Sequence, residues 1–491
     1  MVRSLTMLFN RIKNETNIPD KMRYKNVTAL YKGKGPRMLL DSDRGIFTST
    51  VLNCILQKLL LRDNYEEVDA NLSDSNIGAR KKKNIRNNTF VMNSVIHDAI
   101  TNNKAIDIGV YDYQKMFDSM NLCVTTNDVY DVGIQDNHLS LMYASDSLSK
   151  VAIKTPVGLT QRVDILKTVN QGEVLSPLKA TISVDSIARD QMENLDEHLY
   201  RYQGEVAIPP LGCVDDQITV SECGMDSAMV TSHINTMTNL KRLQFGPAKC
   251  FKLHIGKICG GCPDNYIDTW QLEKISDEVV SLFEMLDVES DRHLIELVEA
   301  AGYLGDVLQS SGKNTLNIET RRKRGLVAVN VIMSKLEQLT LGPYYFQTAV
   351  IFRNSLILST KLTNVESWFG LTDKEVETLE KVDEQLMRRI MSAHSKTAIP
   401  ALYLELGCVP IRFIIMQRRI GFLWYILNEP ENSLIRNVFN SQLAHPAKGD
   451  WCTQVKGDLE KLGLQISFEA LARWSGNELK SVLKSCVMAR N

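Results

Sequence analysis

The chain has 491 residues, of which 44% are apolar and 23% are charged. These fractions are typical of a soluble globular protein, and they exclude a collagen-like, rod-like or wholly disordered chain. Lysine and arginine together number 57 against 58 acidic residues. A nucleic-acid partner would therefore be bound by charge gathered on one surface, not by a protein that is basic overall.

No segment reaches the ~18 uninterrupted apolar residues of a membrane-spanning helix. The most apolar one, residues 409–427, is broken by Arg412, Arg418 and Arg419 and predicts a buried amphipathic helix. The ten cysteines are spread along the chain with a single close pair, which suits reduced thiols. We expect an intracellular protein of the nucleus or cytoplasm, with no membrane association.

The N-terminal part is basic, with ten lysines and arginines against four acids in the first 44 residues. Apolar spacing then predicts helices over residues 46–61 and 88–100. Between them lies the run Ile-Gly-Ala-Arg-Lys-Lys-Lys at residues 77–83. Taken alone, such a run predicts a solvated charged loop.

Two short β-branched runs end at acidic residues. Residues 106–110 lead to Asp112, and residues 211–214 lead directly to Asp215 and Asp216. Both runs predict buried strands, and the second predicts a hairpin with the aspartate pair at its tip. With the helices around them, these strands indicate an α+β or α/β arrangement for this half of the chain.

Helical patterns dominate the remainder of the chain. Ser176-Pro177 opens one helix, since proline is tolerated in the first turn, and Gly407 ends another. Residues 273–299 form an acidic segment just before the helical C-terminal third. The predicted helices cover residues 176–192, 334–360, 372–391, which begins with a capping box, and 401–406.

The three carboxylates are the strongest chemical signal. Adjacent strand ends would bring Asp112 and Asp215 within reach of the same cations, with Asp216 beside them. Mg²⁺ prefers one or two carboxylates plus substrate phosphates, and two ions ~3.5–4 Å apart can drive phosphoryl transfer. An Asp-Asp pair in a hairpin is by itself ordinary turn chemistry. The motifs around it favour the catalytic interpretation.

Five segments, in order and spacing, resemble the palm motifs of reverse transcriptases. The most specific is Gln-Gly-x-x-x-Ser-Pro-Leu. Further segments upstream and downstream are similar to the non-LTR (LINE-type) retrotransposon enzymes, although Gly45 replaces the usual proline. The five palm-like segments are residues 112–118, 170–178, 213–216, 246–250 and 302–306; the further ones are residues 31–35, 43–47, 345–368 and 404–407.

The resemblance implies an α+β right-hand polymerase. Fingers and a basic N-terminal segment would occupy residues 1–105, and a ferredoxin-like palm with metal-binding carboxylates residues 106–312. A helical thumb would follow at 313–425 and a helical C-terminal region at 426–491. The resemblance also implies a truncated element product without an endonuclease domain.

It further implies the metal ligands. Asp112 and Asp215 would bind two Mg²⁺ ions, with Mn²⁺ as the alternative metal, and Asp216 would be the third carboxylate. The backbone carbonyl of Tyr113 would add a ligand. The reaction would be nucleotidyl transfer from a dNTP to the 3′-OH of a DNA primer on an RNA template.

Substrate-binding roles follow from the same motifs. Phe117 would stack under the incoming sugar and exclude a 2′-OH. Gln171 and Gly172 would lie against the template and nucleotide, Gly172 because close backbone approach tolerates no side chain. Lys249 would approach the triphosphate or donate a proton to pyrophosphate.

Two arginines and one turn complete the set. Arg44 and Arg80 would clamp the triphosphate as bidentate donors. The Tyr303-Leu304-Gly305 turn would grip the primer end. A polymerase alone would need a nick made by another agent, so a separate endonuclease is a further expected partner.

Other interpretations stay open. The chain could be a catalytically silent nucleic-acid-binding remnant of a retroelement, or a mobile-intron or other cellular reverse transcriptase. Cys250, His254, Cys259 and Cys262 form either a zinc site of unusual spacing or scattered core thiols. Asp118 would be the second aspartate of the first palm-like segment or only a helix cap. The basic run 321–324 would hold a duplex backbone or form a solvated helix face.

Overall fold

The computed structural model describes residues 2–39, 42–147, 149–165, 169–222, 224–257, 271–274, 291–339 and 343–489. The described part contains no helix long and apolar enough to cross a membrane. The helices are α1 Val2–Glu15, α2 Val51–Asn71, α3 Ile85–Thr101, α4 Met116–Ser119, α5 Leu122–Asp131, α6 Asp136–Ala144, α7 Ser176–Asn194, α8 Met225–Leu240, α9 Thr315–Leu336, α10 Pro343–Phe352, α11 Leu358–Lys361, α12 Asp373–Ile390, α13 Ile399–Glu405, α14 Ile411–Leu427, α15 Leu434–Ala444, α16 Trp451–Lys461, α17 Phe468–Ala472 and α18 Gly476–Met488.

The strands form a mixed α/β architecture with these helices. They are β1 Tyr24–Tyr31, β2 Asp43–Ser49, β3 Ile106–Asp112, β4 Ser149–Thr155, β5 Gly158–Leu159, β6 Val163–Ile165, β7 Arg201–Tyr202, β8 Val206–Ala207, β9 Leu211–Cys213, β10 Asp216–Glu222, β11 Phe251–Ile255, β12 Gln271–Lys274, β13 Asp291–Leu294, β14 Glu296–Leu297, β15 Ala300–Tyr303 and β16 Asp306–Gln309.

The N-terminal sheet has the strand order β2-β1-β4-β5, with β6 also paired to β4. Strand β1 runs antiparallel to β2 and parallel to β4. Helices α1, α2, α5 and α6 and the start of α7 share one apolar core beside it, which includes Ile12, Leu60, Val129 and Leu178.

The predicted helix over 46–61 is wrong in its first part. Residues 43–49 form β2, whose Phe47 pairs with Val27 of β1. The helix begins only after Thr50, whose side chain accepts a hydrogen bond from the Asn53 N–H. Apolar residues such as Ile46 fit a strand as well as a helix, and pairing with the distant β1 decides between them.

The central sheet has the order β14-β11-β3-β10-β9. Its path β3–α7–β9–β10–α8–β11 is a β-α-β-β-α-β unit with antiparallel neighbours, which is the ferredoxin-like topology. Side chains alternate between two faces of the sheet. One face, with Tyr111, packs against α7 and α8; the other, with Ile108, packs against α3.

The C-terminal helices return to this sheet. Phe90 of α3 packs edge-on against Trp451 and Phe422, with ring centroids 5.2 and 5.7 Å apart. These residues belong to the same buried cluster as Ile108. Helix α3, which we placed with residues 1–105, therefore shares its core with the central sheet and with helices α14 to α18.

Most helix predictions are confirmed. The Thr372 capping box is present at the start of α12, and Gly407 has a φ of 59° just after α13. The single helix predicted over 334–360 is wrong, because α9 ends at Leu336 and α10 starts at Pro343. Proline favours the first turn of a helix, where its missing N–H has no intrahelical partner. The confirmed predictions are 88–100 in α3, 176–192 in α7, 372–391 in α12, 401–406 in α13 and 409–427 in α14.

Candidate active site

The ends of three strands bring the predicted carboxylates together. In the antiparallel pairing of β3 with β10, Asp112 lies directly opposite Asp216. Residues paired in this way have Cα atoms roughly 4.5–5.5 Å apart. Asp215 lies in the two-residue turn that joins β9 to β10, between the paired residues Cys213 and Asp216. The predicted strands and the hairpin with an aspartate pair at its tip are confirmed.

The turn that carries Asp215 has an unusual backbone. Val214 has a φ of 59°, a left-handed conformation that is an outlier for a β-branched residue. Positive φ at the first central position is the pattern of a type II′ hairpin turn, where glycine is normal. A side chain on Gly78 would lie 2.6 Å from the Val214 backbone nitrogen. The loop containing Gly78 therefore supports the turn by close backbone contact.

The three carboxylates repel one another. Burial, together with the negative charges of Asp215 and Asp112, raises the pKa of Asp216 to about 6. The counterion is Lys249, whose Nζ lies 2.6 Å from Asp112 Oδ1. The Lys249 side chain is 67% exposed and that of Asp112 is 24% exposed. The site is thus a partly open acidic cluster with the exposed Lys249 at its edge.

A metal ion at this cluster would need oxygen donors from the protein and from a substrate. Within the described ranges, no group of three His, Cys, Asp or Glu side chains is arranged to hold a metal ion. Two carboxylates completed by substrate phosphates are nevertheless the donor set that suits Mg²⁺. Burial, and then the negative charges of Asp215 and Asp112, raise the pKa of Asp216, and a divalent cation would offset the repulsion among these charges.

This electrostatic arrangement predicts a pH-dependent stability. Because the pKa of Asp216 is higher in the folded chain than the ordinary value of 3.8, the folded state binds more protons between about pH 4 and pH 6. Folding stability should therefore fall as pH rises through that interval. In EDTA, Asp216→Asn should raise Tm at about pH 7.5 and have little effect at about pH 4.

The measurement is thermal unfolding of the wild-type chain and of Asp216→Asn at about pH 4 and about pH 7.5. An equal change of Tm at the two pH values would contradict the predicted repulsion. Asp118→Asn is the matched control, because Asp118 is an exposed residue on α4.

Tyr113 and Phe117 lie just after Asp112. The Tyr113 ring is buried against Phe245, with centroids 4.8 Å apart, and its hydroxyl donates to Gln217 Oε1 at 2.7 Å. Its side chain is therefore structural, which leaves only the backbone carbonyl for the predicted ligand role. Phe117 on α4 is half-buried against the same apolar cluster.

Gln171 and Gly172 lie against β2. The Phe47 N–H donates to the Gln171 carbonyl at 2.8 Å. Gly172 has a φ of 104°, and a Cβ there would lie 2.8 Å from the Phe47 carbonyl oxygen. Gly172 makes a close contact of the kind we expected, and it makes this contact with the backbone of β2. Val169, just before this loop, shares a buried cluster with Tyr113.

The two predicted phosphate-binding arginines differ. Arg44 is exposed on β2, and among the described residues it has no ion-pair partner. Arg80 is 5% exposed and pairs with Asp69 Oδ1 at 2.7 Å. Its guanidinium also donates to the carbonyls of Ser73 and Asn76. Arg80 is therefore not placed as the predicted phosphate clamp: it ties the loop that supports the Val214 turn to α2.

The predicted primer-binding turn joins β15 to β16. Leu304 and Gly305 have φ values of 45° and 88°, the pattern of a type I′ turn. Arg321 donates to the Gly305 carbonyl at 2.7 Å, so it is neither a duplex contact nor solvated. Tyr303 is buried, and its hydroxyl accepts from Asn88 at 3.5 Å. Any contact of this turn with a primer would therefore be made by its backbone and by Leu304.

A shared zinc site at Cys250 and His254 does not form. Both residues lie on one extended segment, four residues and therefore ~13 Å apart. Cys250 is buried with its thiol toward the Asp112 carbonyl, and burial raises its pKa to about 11. His254 pairs with Asp107 at 2.8 Å. Cys259 and Cys262 lie outside the described residues.

One feature near the site was missed from the sequence. Lys25 and Lys179 are buried with Asp146 and Glu173 in a single ionic cluster. Lys25 is 121 positions from Asp146 and still further from Glu173 and Lys179, and it stands in a basic segment that predicts solvent exposure. The only signal was Glu173 inside the Gln-Gly-x-x-x-Ser-Pro-Leu segment.

Comparison with solved structures finds telomerases from two Candida species. The apo telomerase of Candida tropicalis matches with a TM-score of 0.44 and 10% identity, over 93% of this chain and 73% of that protein. The Candida albicans telomerase, solved with a TWJ fragment of telomeric RNA, matches with a TM-score of 0.39 and 11% identity, over 82% and 67%.

A Candida tropicalis telomerase truncated from its C-terminal domain matches with a TM-score of 0.37 and 11% identity. That match covers 53% of this chain and 56% of that protein, so this chain spans little more than half of its length. No protein-family model and no curated protein matches the sequence. TM-scores below 0.5 leave every residue assignment to the geometry of the site itself.

Proposed function

We propose that this chain is an RNA-directed DNA polymerase of the non-LTR retrotransposon type. The observation that carries the proposal is the pairing of Asp112 with Asp216 across the ends of β3 and β10, with Asp215 in the adjoining turn. The sheet that holds them would be the palm, the N-terminal sheet the fingers, and helices α9 to α13 the thumb. The non-LTR type is inferred from the segments at 31–35, 43–47 and 404–407.

The carboxylates would hold the cation-bound nucleotide. Asp112 and Asp215 would bind the metal ions, and the half-buried Asp216 would keep the site anionic until they arrive. Bound Mg²⁺ supplies charge neutralisation for the attacking 3′-oxygen and for the leaving pyrophosphate. Because two carboxylates plus phosphates are its usual donors, metal and dNTP would bind together.

Lys249 would exchange partners during this step. It is exposed and pairs with Asp112 in the structure described here. With a cation bound at Asp112, the carboxylate would no longer need Lys249 as its counterion. The ammonium group would then be released. The ammonium group would then bind the triphosphate oxygens and donate a proton to pyrophosphate.

The substrate would be recognised by the groups around the carboxylates. Phe117, on α4 directly after β3, would lie under the sugar and exclude a 2′-OH. Arg44, exposed on β2, would bind triphosphate oxygens. The turn at 303–305 would approach the primer end through its backbone, and the template would be RNA.

The testing experiment is extension of a DNA primer on an RNA template with purified protein, Mg²⁺ and dNTPs. We expect extension by the wild-type chain and by Asp118→Ala, and none by Asp215→Ala. Duplex binding by Asp215→Ala should stay within a few-fold of wild type, because phosphate contacts elsewhere dominate affinity.

Two results would decide against this proposal. Equal extension by wild type and Asp215→Ala would remove Asp215 from the reaction. Salt-sensitive duplex binding with no extension by the wild type would identify the chain as a nucleic-acid-binding remnant.

A further inference from the structure

Four buried charges meet between the N-terminal sheet and α7. Lys25 Nζ lies 2.6 Å from Glu173 Oε2 and 3.4 Å from Asp146 Oδ1. Lys179 Nζ lies 2.6 Å from Asp146 Oδ2. None of the four side chains is more than 3% exposed. Two basic and two acidic side chains therefore meet in a buried interior, where burial raises the pKa of Glu173.

Such a cluster is costly to bury. The desolvation penalty of each charge is several kcal/mol, and well-packed apolar side chains of similar volume would often stabilise a protein as much or more. The two lysines outweigh burial at Asp146 and lower its pKa to about 2. We therefore expect this cluster to have a role besides stability. The contacts of Glu173 show what that role is.

Glu173 is the centre of the hydrogen bonds that hold residues 170–175. Its carboxylate accepts from the hydroxyl of Ser49 on β2 and from the side-chain amide of Asn170. Gln57 of α2 donates to the same carboxylate at 3.4 Å. Its amide oxygen in turn accepts the backbone N–H of Val174 at 3.0 Å. One side chain thus connects this loop to β1, β2 and α2.

The loop itself is pressed against β2. The Phe47 N–H binds the Gln171 carbonyl, and Gly172 leaves no room for a Cβ beside the Phe47 backbone. Within the described part of the chain, the Gln171 side-chain amide has no hydrogen-bond partner and is half-buried. The backbone of Gln171 is therefore fixed while its amide is available to a ligand.

We propose that Glu173, held in place by Lys25, is a positioning residue that fixes Gln171 and Gly172 for contact with the incoming deoxynucleotide and its template base. The identity of that ligand rests on the proposed polymerase function; the fixing of the loop does not. Glu173 is buried and acts only through residues 170–175.

The test compares Glu173→Gln with Asp383→Asn. Asp383 forms an equally buried ion pair with Arg353, 2.7 Å away, in the helical part of the chain, so both variants uncouple a buried cation. Primer extension is measured against dNTP concentration, well below either Tm. Hydrogen exchange is measured over residues 43–49 and 169–176.

We expect Glu173→Gln to raise the KM for dNTP about tenfold or more, with kcat within about threefold, because a misplaced binding loop loses ground-state contacts. Exchange should quicken in both peptides. Asp383→Asn should change neither the KM for dNTP nor the exchange of these two peptides. If Glu173→Gln does not fold, Ser49→Ala keeps all four charges, removes one anchoring bond, and should give a smaller change of the same kind.

Matching KM and exchange values in Glu173→Gln and wild type would overturn the proposal. So would equal changes in the two ion-pair variants, since that pattern reports only lost stability. A wild-type chain without extension would reject the polymerase function and, with it, the deoxynucleotide contact. The exchange comparison would then still decide whether Glu173 fixes the loop.

Discussion

Replacing Asp112 by Asn should reduce primer extension by at least about a thousandfold, because loss of several kcal/mol of metal stabilisation corresponds to a rate factor of that size. Asp112 is the residue that both faces Asp216 across the sheet and pairs with Lys249 at 2.6 Å. The substitution preserves shape and hydrogen bonding while removing the charge. Single-turnover extension with saturating Mg²⁺ and dNTP is the measurement.

The fold should survive this substitution. Removing one of three mutually repelling carboxylates relieves the repulsion that raises the pKa of Asp216, so Tm in EDTA should stay the same or rise. Asp118→Asn, in the same segment but exposed on α4, should extend primers normally. Activity of Asp112→Asn within tenfold of wild type would reject Asp112 as a metal ligand.

Replacing Asp383 by Ala should destabilise the helical C-terminal part by about 3–5 kcal/mol, the usual cost of leaving a buried charge unpaired. Arg353 donates to both Asp383 oxygens, with its Nε 2.9 Å from Oδ1 and its Nη2 2.7 Å from Oδ2. Tyr403 donates to the same carboxylate at 3.2 Å. The midpoint of chemical denaturation measures the loss.

Two further variants show whether the unpaired charge causes that loss of stability. Arg353→Met combined with Asp383→Leu should recover most of the stability, because paired removal leaves no orphaned charge. Glu319→Ala removes an exposed pair with Arg322 and should leave the midpoint nearly unchanged, since solvent screens such pairs. A large loss in the double variant would show that packing, and not the unpaired charge, dominates at this position.

Local sequence signals predicted local structure well. The capping box at Thr372 and Glu375 forms, because each residue satisfies the other's backbone N–H within one turn. The β-branched runs before Asp112 and Asp215 form strands, whereas the expectation that their ends lie side by side came from the resemblance to the palm motifs.

Predictions failed where one sequence pattern is compatible with two different structures. Ile46 lies in a strand because β1 is there to pair with it. Arg80 stands in a basic loop, and the resemblance implied a free phosphate-binding side chain there, yet its donors are used by Asp69, Ser73 and Asn76. The sequence around a lysine or an arginine does not show whether an acceptor from a distant segment will pair with it.

The sequence by itself determined the strands that end at the carboxylates, most of the predicted helices, and the candidate carboxylates, because each depends on residues within a few positions of one another. Only the tertiary structure decided that Asp112 faces Asp216, that Lys25 meets Glu173, and that α3 shares a core with Trp451. Those contacts join residues separated by a hundred positions or more, and their free energy comes from burial and pairing that exist only once the whole chain has folded.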